Sequence, residues 1–189
     1  MFENLLQYDR DLFLFLNNLG TPAWDGFWVL LSNKFTAIPL YIFLLYVSYK
    51  KFGSKGVLFL VAAVALMIVM TNGLADFFKY GVQRLRPCHD IGVNGAMRLV
   101  KSSCGGQFGF FSAHAANTTA VAFFFGRLLG SKSAYLSIFL MLWAFCVAYS
   151  RIYLGVHYPL DVLTGIGVGL LFGWIFTKLY IFALHKYPV

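Results

Sequence analysis

The feature that most constrains this chain is a succession of apolar runs at about residues 27–49, 57–78, 112–130, 133–150 and 160–184. Each is close to the ~20 apolar residues that a helix needs to cross the hydrocarbon core of a bilayer. With 60% hydrophobic residues, only 12% charged and a mean hydropathy of +0.73, the 189-residue chain lies outside the range of ordinary soluble domains. The expectation is one membrane-embedded domain over 1–189, an all-α integral membrane helical bundle of about five transmembrane helices. No length is left for a separate soluble domain.

Ahead of the first run, Leu5, Leu6, Leu12, Phe13, Leu16 and Leu19, with Phe2, recur at helical spacing, while Glu3, Asn4, Gln7, Arg10, Asp11 and Asn17 fall largely on the other side. That pattern predicts an N-terminal interfacial amphipathic helix over 1–20. Gly20, Thr21 and Pro22 then mark a helix stop and a new start. The first 20 residues carry Glu3, Asp9 and Asp11 and lack a basic start with a cleavage site, so the first spans are expected to direct insertion.

Connections between spans are short except at 81–111, a glycine-rich segment containing Cys88 and Cys104. A long loop in a compact bundle is usually functional. Span five carries Gly165, Gly169 and Gly173 four residues apart, a ridge that lets helix backbones approach closely. The formal net charge of +8 does not require nucleic acid, because basic residues at helix ends serve topology and anionic lipid surfaces. Lys50, Lys51, Lys55, Arg127, Lys132 and Lys186 fall on one face by alternation of spans, and that face is expected to be cytoplasmic. The 81–111 loop and the segment 150–161 then face outward. In an oxidising exterior Cys88 and Cys104 could close a loop of about 15 residues, worth on the order of 3 kcal/mol; two independent thiols are the alternative.

The polar residues within the apolar frame gather at one rim. The end of span two supplies Lys79, Arg84, Arg86 and Pro87; the start of span three, Ser112 and His114; the end of span four, Ser150 and Arg151; the start of span five, His157 and Asp161. Alternation puts all four segments on the same side. Cations, two imidazoles, a serine and a carboxylate beside two helix N-termini suit a phosphate. Each has a plainer alternative: Lys79 as a snorkelling side chain or an i,i+3 partner of Asp76, Ser112 as a helix cap, and Arg84, Arg98 and Lys101 as solvated loop charges. His114 and His157 are harder to explain without function, because ionisable groups at membrane depth are costly.

These residues resemble the signature of the phosphatidic acid phosphatase type 2 superfamily. "KYGVQRLRP" carries a lysine with arginine-proline seven residues on (Lys79, Arg86, Pro87), and "SRIYLGVHYPLD" carries serine-arginine, a histidine six residues later and an aspartate four after that (Ser150, Arg151, His157, Asp161). The middle motif reads "FSAH", with Phe111 and Ala113 where the family has proline and glycine, but Ser112 and His114 remain. The resemblance implies that His157 attacks phosphorus to form a phosphohistidine, Asp161 orients it, and His114 protonates the leaving oxygen. Lys79, Arg86, Ser112 and Arg151 would bind the phosphoryl oxygens.

The implied activity is hydrolysis of a lipid phosphate or diphosphate, such as undecaprenyl diphosphate, a phosphatidate-type lipid or lipid A, at the periplasmic face of a bacterial inner membrane. A two-metal mechanism needs several carboxylates in one site, and only Asp76, Asp90 and Asp161 fall near this rim. No metal or cofactor is therefore expected. A vanadate-dependent haloperoxidase shares the signature but not the five spans, and a non-catalytic membrane transporter or anionic-lipid-binding protein is the non-enzyme alternative.

Overall fold

The computed structural model describes residues 2–101, 103–130 and 134–187. Lys132, one of the expected cytoplasmic cations, lies outside the described residues, as does the side chain of Phe2. Among the described residues seven α-helices follow one another: α1 (Phe2–Asn18), α2 (Pro22–Ser32), α3 (Ile38–Val82), α4 (Ile91–Asn94), α5 (Ala113–Leu129), α6 (Ala134–Tyr153) and α7 (Pro159–Lys186). Between α3 and α4 lies one 3-10 turn, and the only β pairing among the described residues is a single bridge, Leu85 to Phe108. Among the described residues three helices, α3, α6 and α7, are long and apolar enough to cross a membrane.

The 45 residues of α3 are not one rod. Gly53 has φ 67° and ψ −176°, a left-handed conformation that glycine takes without steric penalty. Tyr41 and Asn72 line a common cavity, although a straight helix at 1.5 Å per residue would separate them by about 46 Å. The chain therefore doubles back at Gly53, and Leu44 from the first limb joins Leu60 and Met67 from the second in one core with Phe124, Leu140 and Tyr180. Lys51 donates to Leu128 O at 2.7 Å and Tyr180 donates to Gly56 O at 3.0 Å, so the turn is tied to the ends of α5 and α7.

Helix α5 sits at the centre, packed mainly on α7 and α6. The glycine ridge of α7 makes this possible. A Cβ built at Gly165, Gly169 or Gly173 would lie 2.6, 2.5 or 2.9 Å from the carbonyl oxygens of Ser112, Ala116 and Ala120, closer than atoms can pack. The two backbones are in contact where any side chain would separate them.

Two expectations need correction. The first span was expected over 27–49, but the helix breaks after Ser32 and resumes at Ile38. Asn33 is extended (φ −79°, ψ 124°) and its side-chain oxygen accepts from Phe35 N at 3.0 Å, a local bond that competes with helix continuation. The second concerns α1, whose Asn17 was read as part of an outward polar face. Asp9, Phe13 and Asn17, four residues apart, are all buried against the bundle, whereas Leu5, Leu12, Phe15 and Leu19 are exposed. Asn17 bridges Arg98 O, Ile152 O and Tyr153 O at 2.9–3.1 Å and accepts from Arg98 N. Its amide thus satisfies backbone groups that the ends of other segments leave open.

Candidate active site

The rim expected from the sequence is a cavity of about 630 Å³. His114, His157, Lys79, Arg86, Lys101 and Arg151 reach it, and among the described residues no carboxylate lines it. Tyr41, Ile68, Trp143 and Val147 continue the lining toward the apolar helices. The loop containing Cys88 and Cys104, joined as a disulfide with Cα atoms 6.3 Å apart, contributes Arg86, Lys101, Cys104 and Gly105 to the lining.

His157 is placed by the turn between α6 and α7. Leu154 N bonds Ser150 O, Gly155 N bonds Ile152 O with Gly155 at φ 79°, and both Val156 N and His157 N donate to Arg151 O. The imidazole is 3% exposed. Its Nδ1 faces Asp161 Oδ2 at 3.5 Å, too far for a formed hydrogen bond, and is otherwise unpartnered. This leaves Nε2 as the nitrogen for the cavity. Burial pushes the His157 pKa down to about 4, against the pull of Asp161 and with help from Arg151 and Arg86. At neutral pH the ring is uncharged and carries a free lone pair.

Asp161 is fully buried in the first turn of α7. Tyr158 N donates to its Oδ2 at 3.0 Å and Arg84 Nη1 to its Oδ1 at 2.9 Å. These bonds hold the carboxylate in one orientation, and its negative charge suits the helix N-terminus. Gly109 from the long loop lies alongside; a Cβ there would be 3.2 Å from Asp161 Oδ2 and 3.6 Å from His157 Nδ1.

The cations have different partners. Arg86 donates to Phe108 O at 3.2 Å and Cys104 O at 3.1 Å; burial lowers its pKa, but a guanidinium remains charged at any working pH. Arg151 is buried, donates through Nη1 to Ser32 Oγ, and has an Nε without a partner. Lys79 lines the cavity while bonding Asp76 at 2.8 Å, so it combines the phosphate-facing position with the i,i+3 pair. Lys101 also lines the cavity, its pKa lowered by burial and by Arg151 and Arg86.

Ser112 is not brought to the cavity. It is fully buried, caps α5 by accepting from Ala115 N at 3.4 Å, and its N–H donates to Asp161 O at 3.0 Å. Its place is therefore structural in this geometry, joining the starts of α5 and α7. Ala113 lines the cavity with negative φ, since Gln83 alone among the described non-glycine residues has positive φ. Phe111 is buried among Ala75, Ala116 and Phe78.

Arg84 and Arg98 do not face the cavity, being bound by carboxylates: Arg84 by Asp9 and Asp161, Arg98 by both oxygens of Asp25. Sequence reasoning missed Ser32, Asn33 and Lys34, which line the cavity because α2 stops early. The signal was the polar "SNK" within an apolar run with Pro39 following. Among the described residues, possible metal ligands gather at Cys88, His89 and Cys104, two of which the disulfide occupies.

The sequence model of the PAP2 superfamily matches residues 56–183. Lipid A 4'-phosphatase of Bacteroides thetaiotaomicron is 38% identical over 188 residues, covering 98% of this chain and 81% of that protein. The crystal structure of Aquifex aeolicus LpxE superposes with a TM-score of 0.66 at 28% identity over 89% of this chain and 93% of that one. A transmembrane PAP2-type phosphatidylglycerolphosphate phosphatase from Bacillus subtilis superposes with a TM-score of 0.72 at 21% identity, over 93% and 86%.

Proposed function

The chain belongs to the PAP2 superfamily, and on that premise we propose that it removes a phosphate from a lipid through a phosphohistidine on His157, with a lipid A-type headgroup as substrate. It is a membrane protein and a lipid phosphatase by its relatives; the substrate and mechanism are the proposal. The observation that carries them is the cavity itself. It presents a neutral buried imidazole among five cations, Lys34, Lys79, Arg86, Lys101 and Arg151, with no carboxylate in its described lining and an apolar side on α3 and α6. Similarity to the Bacteroides enzyme supports lipid A over undecaprenyl diphosphate or phosphatidate.

In the first step Nε2 of His157 attacks phosphorus and the bond from phosphorus to the lipid oxygen breaks. The proton on Nδ1 stays there, and the positive charge that develops on the ring is offset by Asp161. His114, protonated once the anionic phosphate lies beside it, gives its proton to the leaving oxygen, which departs as a neutral alcohol. In the second step water attacks phosphorus, His114 takes its proton, and the phosphorus–nitrogen bond breaks to restore His157. Arg86, Arg151, Lys79 and Lys101 neutralise the equatorial oxygens. The donor set suits phosphate better than a metal pair, which would need carboxylates in the lining.

The two limbs of α3 with α5, α6 and α7 make five spans in this reading, and the exposed Leu5, Leu12 and Phe15 of α1, with Leu19 just after it, enter the membrane interface. The basic turn at Gly53 faces the cytoplasm and the cavity opens to the periplasmic side of an inner membrane. Phosphate release by the purified protein from lipid A, phosphatidate and undecaprenyl diphosphate, in excess chelator, tests the proposal. Release from lipid A that persists with chelator and vanishes in His157→Ala is expected. No release from any of the three, or activity restored only by a divalent metal, contradicts it.

A further inference from the structure

The family match begins at residue 56, yet α1, far upstream of it, reaches Asp161 and Tyr158, the residues that flank the reacting imidazole, through two chains of polar contacts. Asp9 is 4% exposed. Its Oδ1 accepts from Leu160 N, in the first turn of α7, at 2.9 Å, and its Oδ2 pairs with Arg84 Nη2. The same guanidinium uses Nη1 to hold Asp161 Oδ1, and Asp161 Oδ2 faces His157 Nδ1. The next residue, Arg10, pairs with Asp90 at 3.0 Å, and Asp90 accepts from Tyr158 Oη at 2.8 Å. Arg84 lies over the ring of Tyr158, 4.3 Å from its centroid. Adjacent residues of one helix thus grip both neighbours of the nucleophile, the carboxylate behind it and the tyrosine after it.

We infer that Asp9 is a positioning residue for His157, acting through Arg84 and the α7 N-terminus to fix Asp161 and to balance the charge behind the imidazole. The inference rests on the reading of His157 as nucleophile. Arg84 between two carboxylates is a neutralised cation; with one removed, its full charge falls on Asp161. A partly buried guanidinium shared in this way holds both carboxylates by directed bonds, which is geometry a lysine could not supply. Desolvation raises the pKa of Asp9 and Arg84 opposes that rise, in keeping with a carboxylate whose charge depends on its partner.

His157 is faced by Asp161 on α7, Arg151 on α6, His114 on α5, and Arg86 and Lys101 from the long loop. Removing the Asp9 charge leaves those groups in place and makes the surroundings more positive. Asp9→Asn keeps the shape and an acceptor for Leu160 N. It is expected to lower kcat between about ten- and a hundredfold with KM little changed, as for a small misalignment of a reacting group. The acid limb of kcat/KM should move down by about half a pH unit. Asp9→Glu should recover part of the rate. Asn17→Ala is the control, because Asn17 fastens α1 to Ile152 and Tyr153, ahead of the turn, without touching Arg84 or Asp161; it should lower the melting temperature and leave the pH profile unmoved.

Histidine ¹⁵N NMR of the full chain in detergent, with His157 assigned from His157→Ala, reads the same effect without substrate. A downward shift of the His157 titration in Asp9→Asn, absent in Asn17→Ala, is the expected result. An unchanged His157 titration and an unchanged kcat in Asp9→Asn would overturn the inference, and so would the same changes in Asn17→Ala. A wild type that hydrolyses no lipid phosphate would instead count against the functional reading, and the titration would still decide the role of Asp9.

Discussion

His157 is enclosed, 3% exposed, with Asp161 behind Nδ1 and a turn of four backbone bonds beneath it, whereas His114, the second residue of α5, stands exposed to the cavity. The difference matches two kinds of work. A nucleophile must be uncharged and must not move, and burial achieves both at the cost of desolvating whatever charge it acquires. A proton donor must exchange its proton between two steps, and exposure permits that. In a site with no carboxylate in its described lining, the carboxylate that matters lies one layer back, reaching the reaction only through the enclosed imidazole.

Substitution tests that asymmetry. His157→Ala should lower kcat/KM by at least about 10⁴-fold for every substrate, since no bond to phosphorus then forms. His114→Ala should cost about 10²- to 10³-fold with a lipid alcohol as leaving group, and far less with an aryl phosphate, whose leaving oxygen needs no proton. Equal losses for the two leaving groups would remove His114 from its role. Asp161→Asn should cost about 10³-fold, by analogy with other buried carboxylates that orient a histidine. Its structure should keep the fold, because Asn can still accept from Tyr158 N.

The enclosed side of the site depends on residues that local pattern did not reveal. The spacing of Lys79, Arg86, Arg151, His157 and Asp161 was legible because the first and third motifs sit at helix ends, where sequence distance fixes position. Ser112, expected to bind a phosphoryl oxygen with a helix cap as the plainer alternative, caps α5 away from the cavity lining. The inward face of α1 was not legible, because an amphipathic pattern is read as polar-outward in water. Here Asp9 and Asn17 find partners inside the protein while Leu12 and Phe15 are exposed, the arrangement that an apolar surrounding favours. Arg84 read as spare charge for the same reason, since Asp9 is 75 positions away. The break at Asn33 was hidden by the apolar residues on both sides of it.

That break gives a smaller effect to measure. Ser32 accepts from Arg151, and Ser32→Ala should raise KM severalfold, the effect of about 1 kcal/mol from one lost hydrogen bond, with kcat nearly kept. The smallest effect concerns pH. With His157 titrating near 4, lowering the pH from 7 to 6 should leave its contribution to kcat/KM almost unchanged, and the loss should come as pH falls toward 4 and the ring is protonated. An imidazole at its ordinary pKa of about 6.5 would lose activity to about a third over the same interval.

The central claim is that His157 carries the phosphoryl group. Rapid quenching of the enzyme during turnover of an aryl phosphate, whose leaving oxygen departs without a proton from His114, followed by peptide mass spectrometry at basic pH, tests it directly. An acid-labile phosphate on the peptide containing His157, enriched when His114→Ala slows the second step and absent in His157→Ala, is the predicted result. Turnover with phosphate on another residue, or with no phosphoenzyme in the His114→Ala variant, would contradict it.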